Sequence, residues 1–301
     1  MLPLRRRRDR QGQTELMNSP TRTAATVFAA LLLSVAPAAC GAADKPAKTT
    51  ASKDGASAAI DKVVKIDGDR GLYVRCSGKG SPTVFMEGGD TDTSDSYGFA
   101  EEEIAKTTRT CVYDRANLGS SDPAPGPRGL ADFVGDVEAL LEKTPIPGPY
   151  VLVGTSGGGY ITAGYAFEHP DQVAGMVFVD VGAPFKDPPA PIVEETDPDH
   201  PDNVEKRDYL QMEKDAWAGR KLIGDIPIKV ITNRPSKEEI AASPFASERR
   251  GMRKNVEAQK GWLVLSPRAE QVVVTTGHAV EEADPKLVID AILRVVSLAR
   301  R

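Results

Sequence analysis

Residues 150–159 read Tyr150-Val151-Leu152-Val153-Gly154-Thr155-Ser156-Gly157-Gly158-Gly159. The apolar run, bounded by Gly148-Pro149 on one side and glycines on the other, predicts a short buried strand. A helical pattern follows, over about Gly157–Glu168, so Gly154–Gly158 is a strand-to-helix turn with the pattern G-x-S-x-G. The chemistry needs glycine at this spacing because the turn is sharp, and a side chain two residues to either side of Ser156 would strike neighbouring elements. Such a turn exposes Ser156 Oγ and points the next N–H groups at developing negative charge. Any Gly-rich turn can match the bare pattern; the strand before and the helix after give it weight. A phosphate loop would need Gly-Lys-Ser/Thr, which is absent.

Working outward, short β-branched runs alternate with helical stretches. Val63–Ile66 and Leu72–Arg75 suggest an opening hairpin. Strands are expected at Thr83–Met86, Thr110–Tyr113, Met176–Val179, Ile228–Ile231 and Gln271–Thr275, and helices at about Gly129–Lys143 and Pro285–Ala299. Continuous apolar strands alternating with helices predict an α/β fold, a mainly parallel sheet with helices on both faces. In such sheets the active site forms outside the carboxyl ends of the strands. Residues 182–225 interrupt the alternation with a Pro- and acid-rich stretch, then a helix from roughly Asn203 to Gly219. An insertion of this length suggests a small cap.

Histidine occurs only three times. His169 sits at a helix terminus, where its charge suits the dipole, and His200 lies in the insertion. His278 alone follows a predicted strand downstream of Ser156 and is the candidate general base. The strand Thr83–Met86 runs into Glu87-Gly88-Gly89-Asp90, where a glycine pair lets backbone approach a ligand. The N–H groups of Asp90 and Gly157 are therefore the candidate oxyanion hole.

From about Lys65 onward the chain resembles the α/β-hydrolase superfamily, in particular a bacterial branch with a Tyr-Asp-Arg-x-x-x-Gly-x-Ser loop after the fourth strand. Here that loop is Tyr113-Asp114-Arg115-Ala116-Asn117-Leu118-Gly119-Ser120-Ser121. Gly148-Pro149-Tyr150, His169-Pro170-Asp171, Met176-Val177-Phe178-Val179-Asp180 and Gly277-His278 are similar as well. The resemblance implies an α/β-hydrolase fold with a mainly parallel sheet and a small cap. It also implies hydrolysis of a carboxylic ester through an acyl-enzyme, with Ser156 as nucleophile. The departures are specific. Thr155 and Gly88 stand where histidines are common, and Asn117 replaces a loop glycine, which is tolerable because Asn visits left-handed conformations. The loop Thr232-Asn233-Arg234-Pro235-Ser236-Lys237 lacks the usual triad Asp. Asp180 is the first substitute, at the end of the strand after the nucleophile helix; Glu238 or Glu239 is the alternative.

Ahead of this domain (60–301), residues 1–40 read as a signal peptide: a basic start, the apolar run 23–37 and the small-residue run Ala38-Ala39-Cys40-Gly41. Met17 is an alternative start. Cys40 sits where a lipoprotein signal places its acylated cysteine, although Pro37 departs from that pattern; plain secretion is the alternative. Residues 41–59 read as a flexible tether. These features predict export, with the membrane reached only through a lipid anchor. Six arginines fall within residues 1–40, so the rest of the chain is more acidic than its overall charge of −5 suggests. Such a protein has no basic stripe for nucleic acid. Cys76 and Cys111 then remain in an oxidising compartment. The superfamily's sheet order makes their strands neighbours, which implies a disulfide; two buried thiols are the alternative. No Cys/His cluster suggests a metal, and neither metal nor organic cofactor is expected. The expected partner is a small acyl substrate. Rival readings are an amide hydrolase, in which Glu194, Glu195 or Asp197 of the cap grips a substrate amine, and a non-catalytic surface lipoprotein that binds a ligand.

Overall fold

The computed structural model describes residues 58–186 and 197–301. Cys40, the signal-like leader, almost all of the tether, Glu194 and Glu195 lie outside the described residues. An eight-stranded sheet runs in the order β1-β2-β4-β3-β5-β6-β7-β8. Its strands are β1 (Ile60–Asp67), β2 (Arg70–Ser77), β3 (Thr83–Glu87), β4 (Thr110–Tyr113), β5 (Tyr150–Thr155), β6 (Val173–Val179), β7 (Ile228–Asn233) and β8 (Ala269–Val274). β2 is antiparallel to both β1 and β4, and the six strands from β4 to β8 are parallel.

Each central strand is buried on both faces, which is why its sequence is continuously apolar rather than alternating. In β5, Tyr150 and Leu152 face one layer while Val151 and Val153 face the other. The first layer holds α2 (Leu130–Lys143), α3 (Gly158–Glu168) and α4 (Tyr209–Gly219), packed through Phe133, Ile161 and Met212. The second holds α1 (Gly98–Ala105) and α8 (Pro285–Ala299), packed through Ile104, Ile292 and Val296. α8 starts where the sequence signals it: Asp284 accepts the Leu287 N–H and Pro285 occupies the first turn.

The insertion departs from expectation at one point. Its helix begins at Tyr209, not near Asn203. Lys206 has φ of +58°, which breaks a helix, and Asp208 caps the new start by accepting the Gln211 N–H. Residues 203–208 form instead a compact loop in which Asn203 bonds both the N–H and the carbonyl of Arg207. Three further helices, α5 (Lys237–Ala242), α6 (Ala246–Gln259) and α7 (Val280–Ala283), follow β7 and β8.

Cys76 and Cys111 are directly opposed on β2 and β4 and are joined as a disulfide, with Cα atoms 4.1 Å apart. Thiol titration of the denatured, unreduced protein is expected to find neither cysteine free. The Cys76→Ser/Cys111→Ser double variant is expected to lose about 3–4 kcal/mol by the loop-entropy argument. Alkylation of both thiols without reductant would contradict the bridge.

Candidate active site

β5 delivers Ser156 to the carboxyl end of the sheet. Its backbone is held at φ of +46°, and its N–H donates to Val179 O at 3.0 Å, pinning the turn to β6. Such a conformation is uncommon outside glycine and persists only where surroundings over-determine it. The flanking glycines have steric reasons. A Cβ on Gly154 would come within 2.6 Å of Gly159 Cα, and one on Gly158 would strike Gly88 O.

His278 follows β8 through Gly277, whose φ of +90° suits glycine alone. Gly277 N–H donates to Asn233 Oδ1 at 3.2 Å, tying this loop to the end of β7. His278 Nε2 lies 2.9 Å from Ser156 Oγ, and Nδ1 lies 2.7 Å from Asp180 Oδ2. Because Asp180 can only accept, Nδ1 carries the proton and Nε2 presents a lone pair to the Ser156 hydroxyl. The Asp180 hydrogen bond holds the His278 pKa above its ordinary 6.5, with the negative charges of Asp180, Glu281 and Asp90 adding to it against partial burial.

Asp180 sits just past β6 at φ of +44°, with its side chain 4% exposed. Its other oxygen accepts from three donors: Asn233 N–H (3.0 Å), Asn255 Nδ2 (3.1 Å) and Gln259 Nε2 (2.6 Å). A buried carboxylate is tolerated when it is hydrogen-bonded this fully. Asn233 thus stands where an acid was expected and serves Asp180 through its backbone. Asn255 and Gln259 were missed by the sequence reading; their spacing of four residues, on one face of α6, is the signal that could have found them.

The alternative acids do not reach His278. Glu238 and Glu239 lie on α5, exposed, and Glu239 caps its own helix by accepting the Ser236 N–H at 2.6 Å. His169 pairs with Glu138, and His200 Nδ1 accepts the Asp202 N–H; neither approaches Ser156. Asp197 is exposed and bonds the Asp199 N–H.

Asp90, Ser156, Gly157, Tyr160, Tyr209 and His278 line one cavity of about 610 Å³. A Cβ on Gly89 would lie 3.4 Å from Ser156 Cβ, so the loop after β3 rests against the Ser156 turn. Among the described residues, the N–H groups of Asp90 and Gly157 donate to no protein acceptor. The Asp90 carboxylate lies over Gly157, and this accounts for glycine there: a Cβ would strike Asp90 Oδ1 and come within 2.9 Å of Arg207 Nη1. Gly157→Ala is therefore expected to displace the Asp90 loop and lower kcat by about 10²-fold or more, comparable to loss of one oxyanion donor. Steady-state kinetics on the folded variant checks this; wild-type turnover would show that the loop accommodates the methyl without consequence.

Among the described residues, no group of three or more His, Cys, Asp or Glu side chains could hold a metal ion. What the arrangement can do chemically is abstract the Ser156 proton, let Oγ attack an electrophilic carbon, and hold a developing oxyanion against two amides.

Comparison with known proteins bears on the fold. The family model described as alpha/beta hydrolase fold matches residues 82–214. An epoxide hydrolase from potato superposes with a TM-score of 0.62 at 17% identity, covering 80% of this chain and 99% of its own. A thermophilic esterase from Thermogutta terrifontis gives 0.54 at 18%, covering 81% and 100%. The chain has the α/β-hydrolase fold. A protein of Hormonema carpetanum named as a probable transporter, efuK, is 32% identical over 135 residues, which is 42% of this chain and 19% of that protein. The matches to the first three curated relatives span 19%, 30% and 49% of their lengths.

Proposed function

We propose that the protein is a serine hydrolase that cleaves a carboxylic ester or related acyl bond through a covalent acyl-enzyme. The observation that carries this reading is the line Ser156 Oγ, His278 and Asp180, at 2.9 Å and 2.7 Å, opening onto a cavity beside two undonated amides. His278 Nε2 takes the Ser156 proton as Oγ attacks the acyl carbon. The amides of Asp90 and Gly157 hold the oxyanion, and Asp180 stabilises the imidazolium. Nε2 then gives its proton to the leaving alcohol, and water repeats the attack to release the acid.

The identity of the nucleophile favours acyl transfer over epoxide opening. A serine that opened an epoxide would be left as an ether, which water does not cleave under these conditions; a serine ester is hydrolysed and regenerates the site. The cavity's charged lining also narrows the substrate. Asp90 there is paired with Arg207 and Asp180 with His278, but Glu239 and Glu248 are exposed carboxylates, with no Lys or Arg among the described lining residues. This favours neutral or amine-bearing acyl substrates over anionic ones, since an unpaired like charge is repelled.

A fluorophosphonate probe is expected to label the wild-type chain and not Ser156→Ala. A para-nitrophenyl ester panel of graded chain length and charge then ranks the acyl group. Absence of labelling, with ligand binding retained, would favour the non-catalytic surface protein.

A further inference from the structure

The insertion reaches back to the loop that carries Asp90. Arg115, 3% exposed, donates to the carbonyls of Gly88 (2.7 Å) and Gly89 (2.6 Å). The same guanidinium is held by Glu87 at 2.6 Å and by Glu205 in a two-point contact at 2.6 and 3.0 Å. Glu205, 2% exposed, also accepts the Thr91 N–H at 2.9 Å. Arg207, 1% exposed, pairs with Asp90 at 2.8 Å and with Glu205 at 3.1 Å, and the Tyr209 hydroxyl donates to the other Asp90 oxygen. Thus Glu205, Arg207 and Tyr209, all from the insertion, hold the Asp90–Thr91 end of the turn directly, and Glu205 reaches the Gly88–Gly89 end through Arg115.

We propose that Glu205 is a positioning residue for the oxyanion hole, acting through Arg115 and Thr91 to fix the direction of the Asp90 N–H. The inference rests on the serine hydrolase reading given above. A trans peptide is planar, so the Gly89 carbonyl and the Asp90 N–H lie in one plane and point in opposite directions within it. Arg115 draws that carbonyl inward, which turns the amide the other way. Glu205 sets the rotation of the Arg115 fork and at the same time holds Thr91 from behind. Thr91 has φ of +66°, a costly conformation for a β-branched residue that persists only when its neighbours enforce it. Burial opposes the Glu205 charge, but Arg207 and Arg115 overcome it and hold the carboxyl down at about 2, so the brace is ionised throughout the neutral range. A tie between insertion and body needs only one ion pair. Contacts on successive carbonyls and the next amide of one turn are what orientation of a peptide needs.

The test compares Glu205→Gln, Arg115→Lys and Tyr209→Phe in the full chain. Each is assayed with para-nitrophenyl butyrate and with an aliphatic trifluoromethyl ketone, whose serine hemiketal carries the oxyanion. For Glu205→Gln the expected result is a kcat lower by about 10²-fold, with KM changed by less than about twofold. The ketone Ki should rise by the same factor as kcat falls, and the three variants should lie on one line relating the two. A merely structural role would lower the unfolding midpoint without this proportionality. If Glu205→Gln does not fold, Arg115→Lys, which keeps the charge but cannot hold both carbonyls, and Tyr209→Phe carry the correlation. Folded variants with unchanged kcat and Ki, or with kcat lowered and Ki unchanged, would overturn the proposal. Failure of the wild type to react with the fluorophosphonate would instead strike the serine hydrolase reading itself.

Discussion

Ser156→Ala is expected to lower kcat for para-nitrophenyl ester hydrolysis by about 10⁴- to 10⁶-fold while the protein stays folded. The hydroxyl bonds His278 Nε2, whereas the turn is held by backbone, through Ser156 N–H to Val179 O and Gly159 N–H to Ser156 O. Removing the hydroxyl therefore removes the attacking atom and leaves the fold's own contacts in place. His278→Ala should cost a similar factor, and the double variant no more than either alone, because nucleophile and base act as a unit. What remains over the uncatalysed reaction would come from the amides and binding. Steady-state kinetics beside a thermal melt checks the point; turnover within tenfold of wild type (about 1.4 kcal/mol) would move the nucleophile elsewhere.

Asp180→Asn carries the second large effect, about 10⁴-fold in kcat. Three donors hold one oxygen of Asp180, so an asparagine is expected to keep its carbonyl there and turn its amide toward His278. Nδ1 must then accept, the ring proton moves to Nε2, and Nε2 can no longer take the Ser156 proton. The pH profile gives an independent sign. In the wild type Asp180 raises the His278 pKa, so the acid limb of kcat/KM lies above 6.5, with activity lost below it as the imidazole protonates. Removing the carboxylate should shift that limb to lower pH. Glu238→Gln, on the exposed α5, should change neither rate nor limb. A crippled Glu238 or Glu239 variant beside a normal Asp180→Asn would return the acid to the later loop.

The central strands were legible because burial on both faces makes their sequences continuously apolar, and β4 and α8 fall at the residues read from the sequence. Ser156 and His278 were legible for a different reason: a sharp turn and a strand end each need glycine, so Gly154, Gly158 and Gly277 mark them. Asp180 is the first choice of acid from its place at a strand end, but the contacts that hold it, from Asn233 and from Asn255 and Gln259 on α6, are not legible in the sequence. That helix is long, polar and largely solvent-facing, and its sequence carries little apolar period. The brace around Arg115 was hidden further. Glu205 and Arg207 sit in a charge-rich insertion where charges are ordinarily solvated, and only the fold shows them buried against the Gly88–Thr91 turn.

Acyl transfer through Ser156 would leave an ester on that side chain, and intact-mass spectrometry of acid-quenched reactions detects it. The full chain is mixed with excess para-nitrophenyl butyrate and quenched within the first turnovers. One butyryl addition per chain, mapped by proteolysis to the peptide carrying Ser156 and absent from Ser156→Ala, is the predicted result. Release of nitrophenol at the wild-type rate from Ser156→Ala, or a butyryl group carried on a different side chain during turnover, would contradict it.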